Sequence, residues 1–263
     1  MSSVGIHVEA DCLPAAWEAA VLECWHRGSS IPTQYDKPGD PLSRDCSATI
    51  IVREPLAEPR LHRSFPGSLG DLWRYRGEVL DGINDHLIDT TSLTKWHYTY
   101  HFRLNIGLGI AQLSRCLDLL AECPYTRRAV ASLWDVGEDL YSIEPPCVQY
   151  LWFRVYDEKL SMHLHIRSND AFKAGFMNMF AFTELQARMA QQLSLRLKRP
   201  IGIGPYHHFA DSWHIYGSYF EEFKRFLEVS SHRTLAERTW NSREPIVQEC
   251  FAEAQAEIER RPC

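Results

Sequence analysis

The sequence predicts an α+β fold in which a mixed sheet is backed by a long central apolar helix. Three observations carry this expectation. Strand-like and helix-like segments follow one another in mixed order along the chain. Residues 160–166 alternate cleanly, with Leu160, Met162, Leu164 and Ile166 on one face and Ser161, His163 and His165 on the other. Residues 171–196 read as a helix whose Phe172, Phe176, Met179 and Phe180 are too many large side chains for a surface position.

The elements can be justified in order. Residues 14–27 read as a helix, with Pro14 at its start, alanine-rich filling and Gly28 as its stop. Three prolines make 31–45 a loop, and the β-branched run 46–53 is the first expected strand. Residues 54–70 are loop-like, and a helix is expected over 69–88. Leu113, Leu117 and Leu120 give 111–122 helical spacing, ended by Pro124. Strands are expected at 129–134 and 148–155, and helices near 217–229 and 245–260. No repeat, linker or low-complexity stretch marks a boundary, so one domain over 1–263 is expected.

Composition bounds the function. The 263 residues are 45% apolar and 24% charged, which is ordinary for a chain with a full core. With 28 basic and 34 acidic residues the net charge is −6, so gripping DNA by its phosphates is a poor reading. No uncharged apolar run reaches the ~18 residues of a membrane helix. Glu9, Asp11 and Glu18 interrupt the place where a signal-peptide core would sit. Eight scattered cysteines without a CxxC pair read as reduced thiols in a cytoplasm.

Four clusters carry chemistry: Arg127-Arg128, Pro145-Pro146-Cys147, Arg167-Ser168-Asn169-Asp170 running to Asn178, and His214-Ile215-Tyr216. Each alone is weak. Arginines usually sit in solvent, and a lone cysteine is usually a small buried hydrophobe. Two histidines on one strand face, His163 and His165, could chelate a metal with His207 and His208, but no third ligand follows at recognisable spacing. PIGIGP (200–205) lacks the Lys-Ser/Thr of a phosphate loop.

Together the four clusters resemble the thymidylate synthase family. The segments are TRRAVASLWDVGEDLYSIEPPC (126–147), RSNDAFKAGFMNMFAF (167–182) and DSWHIY (211–216). Their spacing also fits: twenty residues from Arg127 to Cys147, twenty from Cys147 to Arg167 and eleven from Arg167 to Asn178. The wording around Cys147 and RSND…NMFAF is closer to the archaeal-type branch. The resemblance is firm over 126–183 and 206–220 and looser upstream.

The resemblance implies transfer of a one-carbon unit to C5 of a pyrimidine nucleoside monophosphate, with 5,10-methylenetetrahydrofolate as co-substrate and no metal. C5 of uracil is a poor nucleophile. A thiolate adding to C6 turns C5 into an enolate that can attack an electrophilic carbon. Cys147 is the implied nucleophile, and Arg167 beside it is expected to favour the thiolate. The phosphate dianion needs several forked donors. Arg167 and Ser168 match that role, with Arg127 and Arg128 given by the partner of a homodimer. Arg44, placed before the first strand, matches loosely.

Asn178 would read the base, since an amide offers a donor to O4 and an acceptor to N3–H. His214 and Tyr216 would hold the sugar 3′-hydroxyl, and Asp170 the folate pterin. Glu78 would manage protons at the base. Tyr98 and Arg103 fit the family's Tyr, three residues, Trp or Phe, Arg. The departures are Val148 in place of the usual His, Ile166 in place of Gln, and a charged tail, 259–263. That tail leaves open a hydroxymethyl product on dUMP or a cytidylate, because water admitted to the exocyclic methylene would replace hydride. Trp73, Trp96 and Trp134 are candidate shields. A nucleotide- or RNA-binding pseudo-enzyme is a further alternative, which the intact Cys147 argues against.

Overall fold

A computed structural model describes residues 4–89 and 96–260. The sequence's last three residues, and with them the end of the charged tail, lie outside the described residues. The fold is built on one mixed sheet. Its strands are β1 (Gly5–Ala10), β2 (Ser29–Ile31), β3 (Ser43–Val52), β5 (Val130–Ser132), β6 (Val148–Tyr156), β7 (Lys159–Asp170) and β8 (Gly202–Ile215); β4 (Leu61–His62) and β9 (Thr239–Trp240) form a separate ribbon. The order is β1-β3-β8-β7-β6-β5, with β2 on β3. β1 runs parallel to β3 and β7 parallel to β8; the other neighbours are antiparallel.

The expected central helix is α6 (Gly175–Leu197). It starts four residues later than the apolar pattern does, because Asp170 Oδ1 accepts from the backbone N–H groups of Phe172 and Lys173 and holds a turn there. Phe176, Phe180 and Phe182 are at most 1% exposed. Gly175 lets the helix start close against the sheet: a Cβ there would lie 2.5 Å from the Trp213 ring. Trp17 of α1 (Leu13–Arg27) packs edge-on against Phe176 and donates to the Ala171 carbonyl at 2.8 Å. The two helices therefore cover the same face of the sheet.

The helix expected over 69–88 is shorter. It is α2 (Leu69–Asp81), started by a reciprocal Ser68–Asp71 cap and ended by Gly82 at φ 64°. The left-handed turn stops the α-helix, and a separate 3-10 turn covers 85–87. The first expected strand begins three residues earlier, at Ser43, so Arg44 lies inside β3. The short helices α3 (Tyr100–Phe102) and α5 (Val136–Asp139) were not expected; α4 (Gln112–Glu122), α7 (Phe220–His232) and α8 (Pro245–Glu259) stand close to their expected ranges.

Strand β8, the longest in the sheet, had no signal of its own. Gly202, Gly204, Pro205 and three histidines break the β-branched wording, yet Tyr206, His208, Ala210 and Trp213 face the core. A buried ion cluster ties the chain's ends together: Glu18 of α1 accepts from Arg238 Nε at 2.7 Å and meets His62 Nε2 at 2.9 Å. No helix among the described residues is long and apolar enough to cross a membrane.

Candidate active site

Topology gathers the implied residues at one edge of the sheet. β6 begins where β7 ends, with Val148 opposite Ile166. The end of β7 lies beside the end of β8, with Ser168 opposite Ser212 and Asp170 opposite His214. The end of β8 lies beside the start of β3, with His214 opposite Asp45. Cys147, Arg167, Ser168, Asp170, His214 and Tyr216 therefore share this edge. Helix α6 opens just after β7 and brings Asn178; α2 packs on α6 and brings Tyr75 and Glu78.

Cys147 is half-buried, and Arg167 Nη2 lies 3.9 Å from its Sγ. Burial pushes the thiol above its usual range, and the Arg167 charge offsets this only in part. The shift runs against the expected thiolate preference. One reason is geometric: Arg167 donates from Nη2 to the Pro145 carbonyl at 2.8 Å and from Nε to that of Pro146 at 3.1 Å. These bonds aim the guanidinium and share its charge. The two departures in sequence, Val148 and Ile166, turn out to be one cross-strand pair, and both are fully buried.

A cavity of about 800 Å³ is lined by Tyr75 and Tyr98, both close to Cys147, while Cys147, Arg167 and Asn178 are not themselves among its lining residues. Tyr75, Glu78, Trp96, Tyr98, Tyr100 and Arg103 line one part of it, and Asp139, Tyr141 and Ile143 another. Tyr98 places its hydroxyl by the backbone N–H of Cys147, and Tyr100 by that of Val148. Burial, with Asp85 nearby, raises the Glu78 carboxyl despite a 3.0 Å hydrogen bond from Asn84 Nδ2. Glu78 is therefore a carboxyl able to hold a proton closer to neutral pH than usual. Arg103 and Asp139 form a buried two-bond pair at 2.9 and 3.3 Å that fixes the cavity wall. Trp134 lies under Arg167, 6.0 Å from its carbon centre. Trp73 does not join the site: it stacks on Phe251 of α8 and donates to Gln255.

Asn178 is buried, and its Oδ1 accepts from the Tyr75 hydroxyl. Tyr75 had not been singled out in the sequence. Its one signal is position: it stands three residues before Glu78, on the same face of α2. A second chain of contacts was also missed. Ser212 donates to Asp45, and His214 Nδ1 lies 3.0 Å from the Ser212 oxygen. Burial lowers the His214 pKa to about 4, so the ring is neutral at physiological pH. With Ser212's proton given to Asp45, Nδ1–H donates to Ser212 and Nε2 is left as an acceptor. Tyr216 packs edge-on against His214, and burial pushes its hydroxyl up to about 12.

Three expectations need correction or restatement. Arg44, matched loosely to the phosphate site and expected in a loop, lies inside β3. Its guanidinium donates to the carbonyls of Trp25 and His26 at the end of α1 and to Ser30 Oγ, at 3.0, 3.3 and 2.9 Å. Helix-end carbonyls attract a cation strongly enough to hold it there. Arg127 and Arg128 are exposed and stand at the other end of β6, where the Phe153 N–H donates to the Ala129 carbonyl. Six strand residues separate that point from Cys147, roughly 20 Å. The four histidines do not converge on one point. His163 and His207 stack at 4.1 Å on one face of the sheet, while His208 faces the core and bonds Tyr206 and Asn169.

Residues 79–254 match the family model described as thymidylate synthase. The chain belongs to the thymidylate synthase family. It is 25% identical over 228 residues to a "Putative thymidylate synthase" of Methanothermobacter thermautotrophicus, covering 84% of this chain and 98% of that protein. It is 36% identical over 160 residues to the one of Methanopyrus kandleri, covering 60% and 75%. A thymidylate synthase of Vesicomyosocius okutanii is 30% identical over 141 residues, covering 54% and 48%. The fold is that of thymidylate synthase A from Bacillus subtilis: TM-score 0.64 at 19% identity, covering 82% and 84% of the two chains. The resemblance to the archaeal-type branch thus agrees with archaeal relatives. This is a family of one-carbon transferases, and these similarities do not favour the hydroxymethylase alternative.

Proposed function

We propose that this protein is a thymidylate synthase that converts dUMP and 5,10-methylenetetrahydrofolate to dTMP and dihydrofolate. The observation that carries this reading is the convergence of Cys147, Arg167 and Asn178 at one edge of the sheet, with Tyr75 joining Asn178 to a cavity of about 800 Å³, a size in the range of small-molecule sites. The folate supplies the one-carbon unit and the hydride. Cys147 Sγ bonds to C6 of the base, and the displaced electron pair makes C5 the nucleophile. C5 bonds to the folate's one-carbon unit as a carbon–nitrogen bond of the folate breaks. The C5 proton then leaves to a base as the remaining carbon–nitrogen bond breaks. Hydride from the folate to the exocyclic methylene expels Cys147 Sγ from C6, giving dTMP, dihydrofolate and the free thiolate. Tyr98, beside the Cys147 backbone, and Glu78, with its raised pKa, are the groups we assign to moving those protons.

Arg167 and Ser168 hold the phosphate in this reading. His214 Nε2 and Tyr216 hold the 3′-hydroxyl, and Asn178 reads O4 and N3–H. Arg127 and Arg128 complete the phosphate site of a partner subunit in a homodimer: they stand roughly 20 Å along β6 from their own Cys147 and are free to project outward. Arg44, engaged by α1, is left to structure. The seven described cysteines are free thiols, which fits a cytoplasmic enzyme. Transfer to C5 is tested with dUMP tritiated at C5. Folate-dependent release of tritium to water is expected; retention of all tritium while dUMP is bound would contradict the reading.

Asp170 gives the pH dependence. Burial raises its carboxyl to about 6, against the backbone N–H bonds of Lys173 and Phe172 that lower it. Holding the pterin's N–H donors requires the carboxylate. The kcat/KM for the folate should therefore be level above pH 7 and fall about tenfold per unit below about 6. A profile for the folate that stays flat down to pH 5 would remove Asp170 from that role.

A further inference from the structure

We propose that Tyr75 is a specificity-determining positioning residue, which fixes the orientation of the Asn178 amide and so sets the preference for uracil over cytosine. The inference rests on the assignment of Asn178 as the base reader. The observation is the hydrogen bond from the Tyr75 hydroxyl to the buried Asn178 Oδ1, with Tyr75 itself lining the cavity described above.

An asparagine amide has two orientations that fill almost the same space. One presents a donor and the other an acceptor at a given point. Uracil offers O4 as acceptor and N3–H as donor. Cytosine offers the reverse, an amino donor at position 4 and N3 as acceptor. An unrestrained amide could turn over and satisfy either base. In this protein Asn178 sits among Phe176, Met179 and Phe180 on α6, where buried polar groups must be paired. With Oδ1 held by Tyr75, that oxygen keeps one lone pair for N3–H, and Nδ2 is the group left to reach O4. Turning the amide over to suit cytosine would break the bond from Tyr75 and leave a buried hydroxyl proton unpaired.

The surroundings support this placement. Tyr75 is on α2, a rigid helix packed on α6, and both partners come from helices and not from loops. Its hydroxyl lies in the electrostatic neighbourhood of Glu78, Tyr98 and Cys147, which is the reacting end of the cavity.

The test is a pair of equilibrium measurements, the affinities for dUMP and for dCMP by calorimetry, on the full chain. Wild type should prefer dUMP. Tyr75→Phe should lower that preference roughly tenfold, the effect of one buried hydrogen bond. On an Asn178→Ala background the same change should leave the ratio where Asn178→Ala alone puts it, which a purely structural effect would not do. Tyr75→Met, also without a donor and able to fill an irregular space, carries the same expectation if the phenylalanine variant does not fold. An unchanged dUMP to dCMP ratio in a folded variant overturns the role of Tyr75 while leaving the assigned reaction intact. A wild type that binds neither nucleotide, or both equally, overturns the base-reading assignment and this inference with it.

Discussion

Cys147→Ser is expected to abolish turnover while leaving dUMP affinity within about tenfold of wild type. The loss should be on the order of 10⁴-fold or more in kcat, as for other variants lacking a covalent nucleophile. The reason is chemical. A serine hydroxyl is far less acidic than a thiol, and in this site even the thiol is raised by burial, with Arg167 offsetting only part. An alkoxide would meet the same desolvation with a much higher starting pKa. Binding should survive because the groups assigned to hold the nucleotide keep their own anchors: Arg167 is aimed by the Pro145 and Pro146 carbonyls at 2.8 and 3.1 Å, closer than its 3.9 Å contact with the sulfur, and Asn178 by Tyr75. Steady-state turnover and calorimetry on the same preparation check both halves. Retained turnover would contradict a covalent mechanism through this residue.

The second large effect concerns the arginine pair. Arg127→Ala/Arg128→Ala should lower kcat/KM for dUMP by roughly 10²–10⁴, since each hydrogen bond from a charged group contributes about 1.5–3 kcal/mol. Its origin can be read by mixing. Cys147→Ser supplies intact arginines, and the double-alanine variant supplies an intact thiol. If the arginines act across the dimer, unfolding and refolding an equal mixture creates one good site in each mixed dimer. Specific activity should then recover to about a quarter of wild type, because half the dimers are mixed and half their sites are complete. If the arginines served their own subunit, the mixture would stay as inactive as its components. The position of Ala129 opposite Phe153, far along β6 from Cys147, favours recovery.

Much of this site was legible because its parts are short and contiguous. Cys147, Arg167–Asp170 and His214–Tyr216 lie at strand ends, and the clean alternation of 160–166 fixed one strand to which the others could be referred. Helix α1 was readable from Pro14 and Gly28, and α6 from its phenylalanines. What the sequence did not disclose depends on pairing between distant segments. β8 is polar in wording because one of its faces carries His207 and the other buries His208 through bonds to Tyr206 and Asn169. Arg44 looks like a loop cation until α1's terminal carbonyls are seen beside it. Val148 and Ile166 read as two separate departures, and only the register of β6 with β7 makes them one. Tyr75 is unremarkable within its helix; its meaning comes from a residue a hundred positions away.

The same logic bears on water. Of the tryptophans considered as shields, Trp96 lines the cavity and Trp134 lies under Arg167. A shielded methylene on C5 takes hydride; a wet one takes hydroxide.

The most direct test is therefore the mass of the nucleotide formed from dUMP and 5,10-methylenetetrahydrofolate, with dihydrofolate followed in the same reaction. A thymidylate synthase gives the mass of the methyl product and one dihydrofolate for each nucleotide converted. A hydroxymethyl product without dihydrofolate, or dUMP recovered unchanged while dCMP is consumed, would contradict the account.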